Sequence, residues 1–163
     1  MVDEKNDHAL QFAWALVETG EPTGRYEKRI IGMHDHWLSE EAEEQIIFYQ
    51  GIHNEQDYQH YLEQEANLVA LYLAVHCCAP LLVYDEAEEQ FQALHDVSAL
   101  IQQVTLGARE KEHYLFYSPA FDSIWTSAHD VAVVLYLLDP EGKPAVEGAI
   151  AQLVKAHNLY MLH

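Results

Sequence analysis

The segment NEQDYQHYLEQEANLVALYLAVHCCAP, residues 54–80, has the periodicity of a long amphipathic helix. Asn54 is a favourable N-cap residue and Pro80 cannot continue a helix, so the pattern predicts a helix from Glu55 to Cys78. At about 1.5 Å per residue, such a helix is roughly 36 Å long. One face of it is predicted to be largely apolar and to pack inward, formed by Tyr58, Tyr61, Leu62, Glu65, Leu68, Val69, Tyr72, Val75 and His76.

Five further segments are predicted as helices from their apolar spacing and from the Gly and Pro residues between them. They are residues 7–19, 39–51, 85–105, 120–138 and a last segment from 145 to near the C-terminus. The residues HYLFY at 113–117 are the one place where a short strand or irregular segment is an alternative. The sequence therefore predicts an all-α fold, a single domain over residues 1–163 with a bundle of about six helices.

The composition favours a folded domain in a reducing compartment. Half of the 163 residues are apolar and 11% are aromatic, which argues against disorder. No run approaches the roughly 18 apolar residues of a membrane span, and the acidic N-terminus shows no signal peptide. The adjacent Cys77 and Cys78 are expected to be small buried residues with free thiols. The cytoplasm is the expected location.

The charge distribution is strongly one-sided. The formal net charge is −19, and the stretch from Ile30 to Ala108 holds 14 Asp and Glu residues without one Lys or Arg. Affinity for nucleic acids and anionic membranes depends on basic side chains, so direct binding to either is not expected. The same charge attracts a basic protein, and we expect a partner of that kind.

Two acidic clusters are predicted at helix N-termini, where the helix dipole favours negative charge. They are Glu40, Glu41, Glu43 and Glu44, and Asp85, Glu86, Glu88 and Glu89. If the clusters meet at one edge of the bundle, they form a negative surface that steers a basic partner at rates toward ~10⁸–10⁹ M⁻¹s⁻¹. The predicted function is an acidic protein-binding module, an inhibitor or immunity-type protein or a nucleic-acid mimic, with no cofactor or catalytic residue. The alternative is a solvated face with no partner.

The histidines suggest a second hypothesis, a metal-binding helical bundle. His53, Asp57 and His60 fall at helical positions i, i+4 and i+7, which places three possible ligands of a divalent metal on one face. The dipeptides His95-Asp96 and His129-Asp130 resemble the His-Asp pair of HD-type metallohydrolases. Such phosphohydrolases also use Lys or Arg to bind phosphate, and the middle of the chain has none. The sequence does not predict the oligomeric state.

Overall fold

A computed structural model describes residues 4–36 and 49–163 of the chain, and it shows an α/β fold. The described helices are α1 (Glu4–Thr19), α2 (Glu55–Cys78), α3 (Val97–Ala108) and α4 (Pro144–Ala156), with a 3-10 turn at Tyr49–Gly51. The described strands are β1 (Tyr26–Gly32), β2 (Leu82–Asp85), β3 (Gln90–Ala93), β4 (Leu115–Ser118), β5 (Ser123–Ser127), β6 (Val133–Leu138) and β7 (Tyr160–Leu162). They form one sheet in the order β3-β2-β4-β5-β6-β1-β7, and each neighbouring pair is antiparallel. The prediction of an all-α bundle of six helices is therefore wrong.

Helices cover the two faces of the sheet unequally. The larger core cluster joins α2, α3 and α4 to one face, and it includes Leu68, Tyr72, Val104, Ile150, Phe116, Trp125 and Leu135. Among the described helices, only α1 contributes buried side chains to the core cluster on the other face, which includes Ala9, Phe12, Ala13, Leu115, Tyr117 and Tyr136. The described part is thus a layered arrangement in which one helix packs on one side of the sheet and three pack on the other.

The predicted helix at 120–138 is replaced by the hairpin of β5 and β6, and this error has a physical cause. Five of the six residues of β6 are buried, because helices pack on both faces of the sheet. A strand that is buried on both faces loses the alternation of polar and apolar residues, so its pattern matches that of a buried helix. The β-branched and aromatic content of Ile124–Thr126 and Val133–Tyr136 was the signal for strands.

The predicted helix start at residue 85 is also wrong, since Asp85 ends β2 and begins a hairpin turn. Its Oδ1 accepts hydrogen bonds from the backbone N–H groups of Ala87 (3.0 Å) and Glu88 (3.1 Å), and its Oδ2 accepts one from Gln92 Nε2 (2.9 Å). Glu89 completes the turn with a φ of 49°. An Asp that accepts hydrogen bonds from the backbone two and three residues ahead stabilises a turn as readily as it caps a helix. The same residue pattern therefore fits the start of a helix and this hairpin turn.

Other parts of the prediction are confirmed. Helix α2 runs from Glu55 to Cys78, and Asn54 caps it by accepting a hydrogen bond from the N–H of Asp57 at 2.8 Å. Helix α1 ends at Thr19 as expected, α4 begins at Pro144, and the possible strand near 113–117 corresponds to β4. The predicted helix at 39–51 lies mostly outside the described residues.

Cys77 and Cys78 differ from the expectation of burial. Both thiols are free and both residues are exposed at the last turn of α2. The Sγ of Cys78 donates to the carbonyl oxygen of Ala74 at 3.4 Å. Within residues 4–36 and 49–163, no helix combines the length and the apolar character that a membrane crossing requires.

Candidate functional site

The structure places one of the two predicted acidic clusters. Glu86, Glu88 and Glu89 are exposed on the turn between β2 and β3, while Asp85 is occupied by the hydrogen bonds of that turn. Glu40, Glu41, Glu43 and Glu44 lie outside the described residues, so the expected meeting of the two clusters stays a prediction.

The β2–β3 turn lies beside α1. Glu89 lines a groove of about 490 Å³ together with Leu10, Gln11, Trp14, Ala15 and Thr23. Glu86 lines a second cavity that also contacts Leu16 and Val17 of α1. We use the name hairpin–helix surface for Trp14, Val17 and Glu18 of α1 with Glu86, Glu88 and Glu89 of the turn.

Apolar side chains of the hairpin–helix surface are exposed beside its carboxylates. Trp14 is 45% exposed and Val17 is 37% exposed, although Phe12 and Ala13 of the same helix are buried against the sheet. The apolar surface of α1 is thus wider than the area over which this helix contacts the sheet. An exposed Trp beside charged residues is typical of the centre of a protein interface.

Three carboxylates of the hairpin–helix surface act together on Tyr84. Burial raises the pKa of the Tyr84 phenol, and the negative charges of Glu89, Glu18 and Glu86 raise that pKa further. Residues from the helix and from the turn therefore impose a negative potential at one place. Within the described residues, Glu18, Glu86, Glu88 and Glu89 form no ion pair with a basic side chain.

The basic residues are engaged elsewhere. Every arginine and one lysine form ion pairs with carboxylates of the same chain: Arg25 with Glu141, Arg29 with Glu27 and Glu147, Arg109 with Glu65, and Lys143 with Asp122. A second lysine, Lys111, lies over the ring of Tyr49, 5.2 Å from its centroid. The negative potential of the hairpin–helix surface is consequently not neutralised by these groups.

The second cavity lies where β2 and β4 separate. The two strands pair at Leu82 with Tyr117 and at Val83 with Phe116, whereas β2 stays paired with β3 as far as Asp85. The gap at this point, which we call the fork cavity, has a volume of about 390 Å³. Tyr84 and Leu115 line it from the α1 side of the sheet. Val83 and Gln103 line it from strand β2 and helix α3.

A serine and a histidine lie side by side in the fork cavity. His113 Nδ1 is 3.3 Å from Ser127 Oγ, and the N–H of Tyr114 donates to the same oxygen at 3.3 Å. In a catalytic triad a carboxylate orients the histidine. No carboxylate of the described chain hydrogen-bonds to His113, so this pair lacks the third group of a triad.

The structure gives the proposed metal ligands separate local contacts. Asp57 Oδ2 accepts a hydrogen bond from the Asn54 side chain at 2.9 Å, and His60 Nε2 lies 2.9 Å from Gln64 Nε2. His53 precedes α2 and is exposed. Nowhere in residues 4–36 and 49–163 do three or more His, Cys, Asp or Glu side chains form a group that could hold a metal ion.

Both His-Asp dipeptides have local roles as well. Asp96 is the N-cap of α3, and its Oδ1 accepts from the N–H of Ala99 at 2.9 Å. His129 begins the turn between β5 and β6, in which Asp130 and Val131 both have positive φ. These positions explain why the pairs occur without requiring a metal.

A third polar cluster, which the sequence did not reveal, centres on Asp122 in the β4–β5 turn. Its Oδ1 accepts from Tyr117 Oη at 3.1 Å and contacts His8 Nε2 at 3.0 Å, and its Oδ2 accepts from Lys143 Nζ at 2.5 Å. A cavity of about 630 Å³ adjoins it. Because three groups already bond to this carboxylate, its role is to join α1 and the loop before α4 to the sheet.

No family model, no curated protein and no solved structure matches this chain. The fold and the site alone therefore define the class of protein, an α/β protein whose described residues form a seven-stranded antiparallel sheet. Its most distinctive described surface combines an exposed Trp14 with carboxylates that have no basic partner.

Proposed function

We propose that this protein binds a basic protein partner through the hairpin–helix surface and thereby occludes the partner's functional site. The single observation that carries the proposal is the exposed Trp14 beside Glu89, with Glu18 and Glu86 acting on the same Tyr84 as Glu89. Within the described residues, none of these three carboxylates forms an ion pair with a basic side chain. The most specific form is an inhibitor of the immunity type or a mimic of a nucleic acid.

The two kinds of residue have different parts in this binding. Exposed carboxylates raise the rate of encounter with a basic surface and exclude acidic proteins. A Trp that becomes desolvated at the centre of an interface supplies much of the affinity. The apolar side chains distinguish this surface from a purely electrostatic one. The affinity of a purely electrostatic surface for its partner would be governed by the salt concentration alone.

The chemistry of the partner follows from the same surface. The partner presents Lys or Arg side chains around a small apolar area. Lys and Arg are also the side chains that bind phosphate in a nuclease. We place the complex in the cytoplasm, where thiols such as the exposed Cys77 and Cys78 stay reduced. The metal-binding alternative has less support, because the described residues hold no group of three or more metal ligands.

The test compares two variants with equal charge. Glu88→Gln/Glu89→Gln removes two carboxylates from the hairpin–helix surface, and the matched control Glu55→Gln/Glu63→Gln removes two exposed ones from α2. The wild-type protein captures basic proteins from a lysate of its source, and the affinity of each purified candidate is then measured from about 50 to 200 mM salt. We expect the first variant to weaken binding and to reduce its salt dependence, while the control binds as the wild type does.

A third variant tests the apolar part of the surface. Trp14→Ala is expected to weaken the complex by about 30-fold or more, mainly through faster dissociation. Thermal unfolding of each variant verifies that the fold is retained. Equal affinity of the wild type, Glu88→Gln/Glu89→Gln and Trp14→Ala for every captured protein would contradict the proposal, as would the absence of any basic protein that is retained.

A further inference from the structure

We propose that the fork cavity receives an arginine side chain of the basic partner. This inference rests on the proposed function, because it names the place where the partner's cationic side chain enters the protein. It is carried by the position of the cavity, by the acceptors that line it and by its aromatic walls.

The fork cavity adjoins the hairpin–helix surface. Leu16 and Val17 of α1 and Glu86 of the turn belong to its lining. A partner that covers Trp14 and Val17 therefore also covers the mouth of the cavity. The volume of about 390 Å³ lies within the range of about 300–1,000 Å³ that is usual for ligand pockets, which is ample for one long side chain.

The lining of the cavity is rich in acceptors, and the described residues that form it include no Lys or Arg. Glu86 and Glu112 are exposed, and neither forms an ion pair within the described chain. The cavity next to Asp122 differs in this respect, since Arg25 and Lys143 line it. Of these two cavities, only the fork cavity has the charge that a cation requires.

Gln103 provides a further acceptor in the lining of the cavity. Its Oε1 is buried and has no hydrogen-bond donor among the described residues. A buried acceptor without a partner is costly, and it is exceptional in folded proteins. Turning this amide toward a cation in the cavity breaks no hydrogen bond of Oε1 and gives that oxygen a partner.

The shape and the walls favour a guanidinium group over an ammonium group. Tyr84 and Tyr136 line the cavity, and aromatic rings stack on the planar guanidinium. Glu86, Glu112 and Gln103 line the cavity from three different elements, the hairpin turn, the loop before β4 and α3. Arginine has five N–H donors in a rigid fork, whereas lysine presents a single point of charge.

The experiment titrates the full chain with N-acetyl-L-arginine amide and follows ¹H–¹⁵N NMR shifts. We expect saturable shifts at His113, Tyr114, Ser127 and the side-chain amide of Gln103. N-acetyl-L-citrulline amide has nearly the same shape but no charge, and it should cause none of these shifts. N-acetyl-L-lysine amide should bind several-fold more weakly than the arginine compound.

Two variants and a matched control identify the acceptors. Gln103→Met keeps the length of the side chain and removes the acceptor, and Glu112→Gln removes one charge. We expect each to weaken binding of the arginine amide by roughly tenfold. Gln102→Met changes the exposed neighbour of Gln103 on α3 and should leave the affinity unchanged. Thermal unfolding should show that Gln103→Met is at least as stable as the wild type, because it loses an unpaired buried acceptor.

The outcomes separate this inference from the proposed function. Equal shifts with the citrulline or lysine compound, no saturable shift, or unchanged affinity in Gln103→Met and Glu112→Gln would each overturn the arginine site. If these results occur while Trp14→Ala and Glu88→Gln/Glu89→Gln still weaken the protein complex, only the inference fails. If the arginine amide binds as expected but no basic protein depends on Trp14, the arginine site stands and the proposed function fails.

Discussion

Arg109 donates two hydrogen bonds to Glu65, from Nε to Oε2 and from Nη2 to Oε1, and each is 2.8 Å long. The carboxylate lies in the middle of α2 and its side chain is only 9% exposed, while the arginine follows the last residue of α3. The ring of Tyr49 lies 5.0 Å from the guanidinium carbon. The pair therefore joins two helices on the same face of the sheet. Arg109 directly follows the acidic stretch from Ile30 to Ala108, and it neutralises one carboxylate of that stretch.

The Glu65–Arg109 pair makes a strong prediction about stability. Arg109→Met leaves a buried carboxylate without its counter-charge and should lower the free energy of unfolding by about 3 kcal/mol. The double variant Glu65→Leu/Arg109→Met removes both charges and should recover most of that loss. Urea unfolding at neutral pH measures both effects. Equal stability of the single and double variants would show that the pair is not coupled.

Glu147 predicts how stability depends on acid. Hydrogen bonding to Arg29 is the main cause that holds the pKa of the Glu147 carboxyl below its usual value of 4.5. Because the folded pKa is depressed, the pair stabilises the fold above the pKa of the unfolded chain, and this stabilisation is lost as the pH falls through the folded value. Glu147→Gln should cost about 1–2 kcal/mol at pH 7, and the difference from the wild type should vanish in strong acid.

The control for Glu147 is Glu141, whose side chain is 78% exposed and which pairs with the exposed Arg25. An ion pair in water contributes little to stability, so Glu141→Gln should behave almost as the wild type does at every pH. Urea midpoints measured between pH 3 and pH 7 compare the two variants. A loss at pH 7 that persists unchanged in acid would mean that Glu147 contributes through packing and not through its charge.

Asp130 should behave in the opposite way. Burial and the negative charge of Glu110 raise the pKa of the Asp130 carboxyl above its usual value of 3.8, and His129 opposes this in part. A carboxyl with a raised folded pKa destabilises the fold as the pH rises past the unfolded value. Asp130→Asn removes that effect and retains a residue that tolerates positive φ. We expect the variant to be more stable than the wild type at pH 7, with the gain absent in strong acid.

Two glycines in helices predict opposite results for the same substitution. At Gly107 of α3, a Cβ would lie 2.3 Å from Tyr114 Cε1 and 3.2 Å from Ser127 Cβ, whereas at Gly148 of α4 it would meet nothing within 4 Å. Gly107→Ala should therefore displace the Tyr114 ring and cost about 1–3 kcal/mol. Gly148→Ala should stabilise the protein by about 0.5–1 kcal/mol. Thermal unfolding of the two variants provides the measurement, and a loss of stability in Gly148→Ala would contradict the described environment of α4.

The success and failure of the sequence prediction have physical causes in particular segments. Helix α2 was predictable because Asn54 and Pro80 fix its ends locally. The strands β5 and β6 were not, because whether Val133–Leu138 is buried on one face or two depends on helices far away in the chain. The contact between Glu65 and Arg109 spans 44 residues, which no local spacing rule reaches.

The candidate site was predictable in its charge but not in its position. Glu86, Glu88 and Glu89 were expected on a helix but lie on a hairpin turn, and their part in partner binding stays a prediction. Trp14 lies within the predicted helix at 7–19, and nothing in the sequence shows that only part of the apolar face of this helix meets the sheet. The fork cavity exists because β2 and β4 stop pairing after two residue pairs. Its position is therefore set by the strand pairing and not by a local sequence pattern.

Asp122 provides a test of how α1 is attached to the sheet. His8 of α1, Tyr117 of β4 and Lys143 all contact its carboxylate, and its φ is 44°. Asp122→Asn keeps the size of the side chain and tolerates this φ, but it weakens the charge-assisted hydrogen bonds and should cost about 1–2 kcal/mol. Because the described part places no other helix on this face, hydrogen exchange should accelerate in α1 more than in α2. Asp35→Asn changes the exposed contact of Asp35 with His36 and should alter neither quantity. An equal acceleration in α1 and α2 would show that Asp122 supports the whole fold and not the docking of α1.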